Sequence, residues 1–158
     1  MAEVTDESPP VAATEELYRR EASRLYRSLV GAFGRSEIAD EAVAEAFVQL
    51  LRRGDAVRDP RAWVWRTAFA VARGLVADRA DAEPGAMPEL PWEDAAAPVD
   101  LLRALAALSP KLREAVVLRH WAGFSAVEIG RITGADAATV RVRVLRAKRQ
   151  LRAALGER

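Results

Sequence analysis

The chain has 158 residues, 51% hydrophobic and 30% charged, with 24 Lys+Arg against 23 Asp+Glu, a size and balance that suit one folded domain or two small ones. It has no cysteine, which excludes a disulfide framework, a thiolate zinc site and a cysteine nucleophile. No apolar run approaches the roughly 18 residues of a membrane span, and the acidic start MAEVTDESPP lacks the apolar core of a secretory signal, so a cytoplasmic protein without membrane insertion is expected.

The net charge of +1 averages over an asymmetry. Residues 101–158 hold 12 bases and 4 acids, a net of +8, whereas residues 1–100 hold 12 and 19, a net of −7. The acids concentrate in residues 1–16 and 81–100, neither of which has a base. Two basic folded segments on an acidic tether are what two nucleic-acid-facing modules need.

Residues 1–13 are polar and acidic, with Pro9 and Pro10, and are expected to be a disordered tail. A first helix is expected from Thr14, with Leu17, Leu25, Leu29 and Phe33 near one face, ending at Gly31–Gly34. A second starts at Ser36. Ile38, Val43, Phe47, Leu50 and Leu51 form its apolar side, and Asp40, Glu41 and Glu45 an acidic side early on, where the helix dipole favours anions. Gly54 stops it. Asp59–Pro60, a cap followed by a first-turn proline, opens a third helix to about Ala80.

That third helix is apolar on nearly all sides. Trp63, Thr67, Ala70, Val71 and Gly74 share one face, and Trp65, Phe69 and Val76 another, beside Arg66 and Arg73. Rings stack on unpaired bases while cations hold phosphate. Trp63 is expected in the core. Trp65 and Phe69 serve either the core or base stacking, and with Arg66 and Arg73 they are the candidates for binding unstacked bases.

Residues 81–99 carry prolines and acids and are expected to be a linker. Trp92 within it either docks on a neighbour or is a loose surface residue. From Asp100, a cap, a helix carries Leu101, Leu102, Leu105 and Leu108. Ser109–Pro110 then opens KLREAVVLRHW, a helical scaffold for the C-terminal third of the chain. His120, the single histidine, has no constellation around it and is expected to be structural or solvated.

Residues 121–152 read as two helices joined by a tight turn. Ser125 and Glu128 form a capping box. Val127, Ile129 and Ile132 are apolar, Gly134 ends the first helix, and Asp136 caps the second. At 100° per residue, Val140, Val144, Ala147 and Leu151 fall in an arc about 60° wide. Arg141, Arg143, Arg146, Lys148 and Arg149 cover most of the rest. This is the helix-turn-helix pattern, in which the second helix enters the duplex major groove. The expected fold is therefore all-α: two small helical domains, 14–80 and 100–158, joined by the acidic Pro-rich linker, the C-terminal one a helix-turn-helix. With no nucleophile–base pair, metal cluster or phosphate loop, neither an enzyme nor a cofactor is expected.

The segment LSPKLREAVVLRHWAGFSAVEIGRITGADAATVRVRVLRAKRQLRAAL resembles the C-terminal promoter-binding domain of bacterial sigma factors, through its Leu-Ser-Pro start, Gly123-Phe124-Ser125, Glu128-Ile129-Gly130, Thr139-Val140 and Arg146-Ala147-Lys148. DEAVAEAFVQLLRR and RDPRAWVWRTAFAVARG are similar to the N-terminal sigma domain. Two such domains with a short linker resemble the extracytoplasmic-function type.

The resemblance implies that Asp40, Glu41, Glu45 and Phe47 dock on core RNA polymerase. The loop 52–59 and the third helix, with Trp65, Arg66, Phe69 and Arg73, hold the proximal promoter element. Thr139, Arg141, Arg143, Arg146 and Lys148 read the distal element as duplex, and the linker threads toward the polymerase active-site channel. It also implies an anti-sigma partner. Ala44 stands where many members have Gln, Ala70 and Gly74 where many have Asn and Asp, and Val142 where a small polar residue is frequent. Alternatives are a sigma-like regulator that does not melt DNA and a partner-held interaction module.

Overall fold

The computed structural model describes residues 9–79 and 99–156. Among them the chain forms seven helices and no strand: α1 (Pro9–Phe33), α2 (Ser36–Arg53), α3 (Pro60–Asp78), α4 (Val99–Ala107), α5 (Pro110–Val116), α6 (Ala126–Thr133) and α7 (Ala137–Ala154). A π-helical turn, Val117–Trp121, extends α5. None of these helices is long and apolar enough to cross a membrane.

Helix α1 begins at Pro9 rather than at Thr14, so residues 9–13 of the expected tail are helical. The sequence made those prolines look like breakers, yet a first helical turn has no amide partner to lose and accepts proline. The linker, including Trp92, lies outside the described residues apart from Val99, which opens α4 one residue before the expected cap Asp100.

α1, α2 and α3 pack around Leu25, Leu29, Ile38, Phe47, Val64, Trp65 and Phe69, and α4–α7 around Leu118, Ile129, Val140 and Ala147. The two sets then join into one hydrophobic cluster. Phe124, in the turn before α6, is the wedge between them. Its ring meets Trp65 edge-on at 4.8 Å, with the Arg61 and Arg24 guanidinium carbons 4.8 and 5.6 Å from its centroid. Burying such a ring contributes about 1.5–3 kcal/mol.

Polar contacts fix the same junction. Arg73 donates from Nε to Glu114 Oε1 at 3.0 Å and from Nη2 to the Ile132 carbonyl at 2.9 Å, one of the unpaired acceptors ending α6. Arg113 donates to the carbonyls of Leu105 and Ala106 in the last turn of α4 and of Leu108 just past it, and to Ala32 of α1.

The helix-turn-helix owes its sharp turn to local chemistry. Ser125 Oγ accepts from the Glu128 amide at 3.2 Å, and Glu128 Oε1 accepts from the Ser125 amide at 3.0 Å. Gly134 closes α6 at φ 79°, a left-handed conformation that glycine adopts without strain. Gly130 is required for a different reason: a Cβ there would run into the Ala135 carbonyl of the turn. Ser125→Ala is expected to lower stability by about 1 kcal/mol in chemical denaturation. Glu128 is held below its ordinary pKa first by the Ser125 amide. Its stabilising contribution is present above the unfolded pKa and is lost as pH falls through the folded one. The penalty of Glu128→Ala, which removes the carboxylate, is therefore expected to shrink in acid.

Candidate nucleic-acid interface

Helix α7 is anchored at its N-terminus and along one buried stripe. Asp136 Oδ1 accepts from the Thr139 amide at 2.7 Å, which fixes where the helix begins. Val140 and Ala147 are buried, and Val144 and Leu151 pack beside them. Arg141, Arg146 and Arg149 are exposed, and Thr139, Arg143 and Lys148 lie half-buried at the flanks. Among the described residues no carboxylate forms an ion pair with any of these cations. A buried stripe opposite an unneutralised cationic face is what a helix entering a charged groove requires.

The cations set a local field. His120 is pushed below its ordinary pKa by partial desolvation and by the nearby Lys148 and Arg119. As the only histidine it is a reporter: duplex phosphates at this face are expected to raise its pKa, and added salt to cancel the rise, followed by NMR titration.

In the first half the structure reverses the aromatic assignment. Trp65 and Phe69, candidates for base stacking, are fully buried. Trp65 Nε1 donates to Glu21 Oε2 at 3.2 Å, its ring stacks on Phe69 at 6.2 Å, and Phe69 meets Phe33 at 5.6 Å. Their helix face is enclosed by α1, and the second half covers Trp65. Arg73, on the same side, is committed to Glu114 and Ile132.

Trp63, expected in the core, is instead half-exposed and lines a cleft of about 300 Å³ with Arg53, Arg58, Arg66 and Arg131. The Arg53 guanidinium carbon lies 5.6 Å from the Trp63 ring centroid. Of the four proximal candidates only Arg66 is in this cleft. Arg53 and Arg58 fall within the loop 52–59 that the resemblance assigns to the proximal element, though neither is singled out there, whereas Trp63 is the residue expected in the core. Arg131 comes from α6 and had no signal in the sequence.

The third surface is a groove of about 760 Å³ between α1 and α2, lined by Tyr18, Tyr26, Asp40, Ala44, Phe47 and Leu51, among others. Phe47 is its floor, nearly buried, with Tyr18 edge-on at 5.0 Å. Leu51, expected to be buried, is 45% exposed on its wall. Asp40, Glu41 and Glu45 are exposed on α2. Glu41 pairs with Arg79 at 2.7 Å and Glu45 accepts from Gln49.

Fold and surfaces together define an all-α protein with a C-terminal helix-turn-helix and a second basic, aromatic cleft. Residues 99–151 match the family model for sigma-70, region 4. The chain is 36% identical over 135 residues to the RNA polymerase sigma-E factor of Streptomyces antibioticus, covering 85% of this chain and 69% of that one. It is 29% identical over 165 residues to the ECF RNA polymerase sigma factor SigE of Mycolicibacterium smegmatis, covering 95% of this chain and 64% of that relative's length. The fold is shared with the sigma factor RpoE of Bartonella quintana, solved in complex with the anti-sigma factor NepR (TM-score 0.76, 20% identity, 92% of this chain and 98% of that one). It is also similar to CnrH in complex with the cytosolic domain of CnrY (TM-score 0.68, 25% identity, 92% and 88%). The chain belongs to the extracytoplasmic-function sigma factors of the sigma-70 family.

Proposed function

We propose that the chain directs RNA polymerase to promoters as a non-enzymatic initiation subunit in the cytoplasm. The observation that carries this is α7: a capped helix with a buried valine–alanine stripe and an unpaired cationic face. Thr139, Arg141, Arg143, Arg146 and Lys148 engage the distal element as duplex. The α1–α2 groove, with Phe47 and the acids Asp40, Glu41 and Glu45, docks on core polymerase. The Trp63 cleft, with Arg53, Arg58 and Arg66, receives an unstacked nucleotide of the proximal element. A ring beside guanidinium groups supplies stacking and phosphate contacts together. Domains 14–80 and 100–158 divide these tasks, and the linker 81–99 spans them on the polymerase.

α6 sits against α3 in a closed packing, and engagement of both elements on the polymerase is proposed to part the halves. An anti-sigma protein, as in the Bartonella complex, is the natural partner of the closed form. The test is transcription from genomic promoter fragments with purified core enzyme, scored by run-off product and by permanganate reactivity of melted thymines. Core binding with specific transcription and reactivity is expected. Duplex binding without permanganate reactivity selects instead a regulator that does not melt DNA, the reading that Ala44, Ala70 and Gly74 favour. Neither core binding nor DNA binding overturns both.

A further inference from the structure

The outward face of α7 is not uniformly cationic. Ala138, Val142, Leu145 and Arg149, all exposed, fall at i, i+4, i+7 and i+11, one line along the helix. Val142 is 47% and Leu145 49% exposed. On the wheel this line lies opposite the buried Val140–Ala147 stripe, between Arg141 on one side and Arg146 on the other. The centre of this outward face is therefore hydrocarbon from Ala138 to Leu145 and ends in the Arg149 guanidinium.

We infer that Val142, assisted by Ala138 one turn before it, is a specificity-determining residue that reads thymine 5-methyl groups in the distal element. This rests on α7 being the duplex reader. Arginines at the two margins hold phosphate and fix register, which leaves the central line against base edges. Among base edges in the major groove only thymine presents a carbon group. Val142 lies in the second turn of α7, near the N-terminal end from which recognition helices reach bases. Its β-branched side chain holds its two methyls with little rotamer freedom.

Leu145 lies a turn further on and lines a small cleft with Arg119 and Lys148, cations suited to phosphate, so it flanks the backbone. Ala138 and Val142 stand about 6 Å apart along the axis. That is about two base-pair steps. A protein occupant is disfavoured: three apolar residues hemmed by unpaired cations fall far short of the roughly 800 Å² per partner of a stable protein interface.

The test uses the full chain with core polymerase. Selection from a duplex pool randomised across the distal element is expected to fix thymine at one or two positions within a few base pairs of each other. Replacing those thymines with deoxyuridine removes only the methyl and keeps the pairing. Each replacement is expected to weaken binding about fourfold, the factor for one buried methyl-sized group. Val142→Ala is expected to bind the thymine site more weakly by a similar factor and to be indifferent to deoxyuridine at one position. Val142 is exposed, and circular dichroism is expected to show the variant folded. Specific binding with no deoxyuridine effect overturns the inference, as does a Val142→Ala variant that keeps the full effect. Loss of core binding without DNA in Val142→Ser overturns it in favour of a protein-docking stripe. Absence of any specific duplex binding overturns the inference by sinking the reading of α7 itself, a failure the first two results do not resemble.

Discussion

Trp65→Ala is expected to remove about 3–5 kcal/mol of stability, whereas Trp63→Ala, two residues earlier, is expected to leave the fold standing. Trp65 is fully buried where Phe69, Phe124 and the Arg24 guanidinium converge, and its indole nitrogen donates to Glu21. Truncation leaves a cavity the size of an indole. It also strips a hydrogen bond from a nearly buried carboxylate, which keeps only Arg61 at 2.6 Å. Urea denaturation monitored by circular dichroism reads the loss, and a shift under 1 kcal/mol would contradict the packing described. Trp63 is half-buried at the cleft and packs against the edge of the core, so its removal costs less packing than that of Trp65. Its penalty belongs to the melted promoter: one lost base–ring stack is worth about 1–3 kcal/mol. Permanganate reactivity with core polymerase is expected to fall by roughly tenfold while duplex binding through α7 persists. If the two tryptophans exchange these behaviours, the assignment of the cleft is wrong.

That reversal shows what this sequence exposes and what it hides. The capping box, Gly134, Asp136 and the Val140–Leu151 stripe were legible because each depends on neighbours within one or two helical turns. α3 was not, because two of its faces are apolar and periodicity cannot say which one meets α1. The deciding partners, Glu21 for Trp65 and Glu114 for Arg73, lie 44 and 41 residues away. Leu51 was placed in the core for a related reason: α2 has more apolar residues than α1 and α3 can cover, and the surplus forms a groove wall. The closed packing of the two halves had no sequence signal. Arg131 reaches the Trp63 cleft only because α6 docks on α3.

One charge pair reinforces the apolar docking of the halves, and Arg73→Met is expected to loosen it. Glu114 is 5% exposed and held above its ordinary pKa by desolvation, with Arg73 working in the opposite direction by charge and hydrogen bond. Removing the guanidinium leaves a buried carboxylate without its partner and the α6 carbonyl without its donor. Truncating one member of a buried pair costs about 3–5 kcal/mol. Arg73 keeps 35% of its side chain in solvent, which discounts the loss to roughly 2–3 kcal/mol. A carboxyl whose folded pKa is raised contributes stability below its unfolded pKa and loses it as pH rises through the folded one. Without Arg73 the folded pKa rises further, so the variant's deficit is expected at neutral pH and to fade toward pH 4. Combining Arg73→Met with Glu114→Leu is expected to recover most of the stability, since apolar groups of similar size replace such pairs at little cost. Small-angle scattering is expected to show the single variant expanded and the double variant compact; an equally compact and stable single variant would show that the pair does not hold the halves together. An ionic contact suits the proposed opening of this junction, because phosphate entering between α3 and α6 would offer Arg73 the same partner chemistry as Glu114. An apolar plug of equal strength would offer DNA nothing to exchange. The double variant is therefore expected to stay closed against promoter DNA that opens the natural chain.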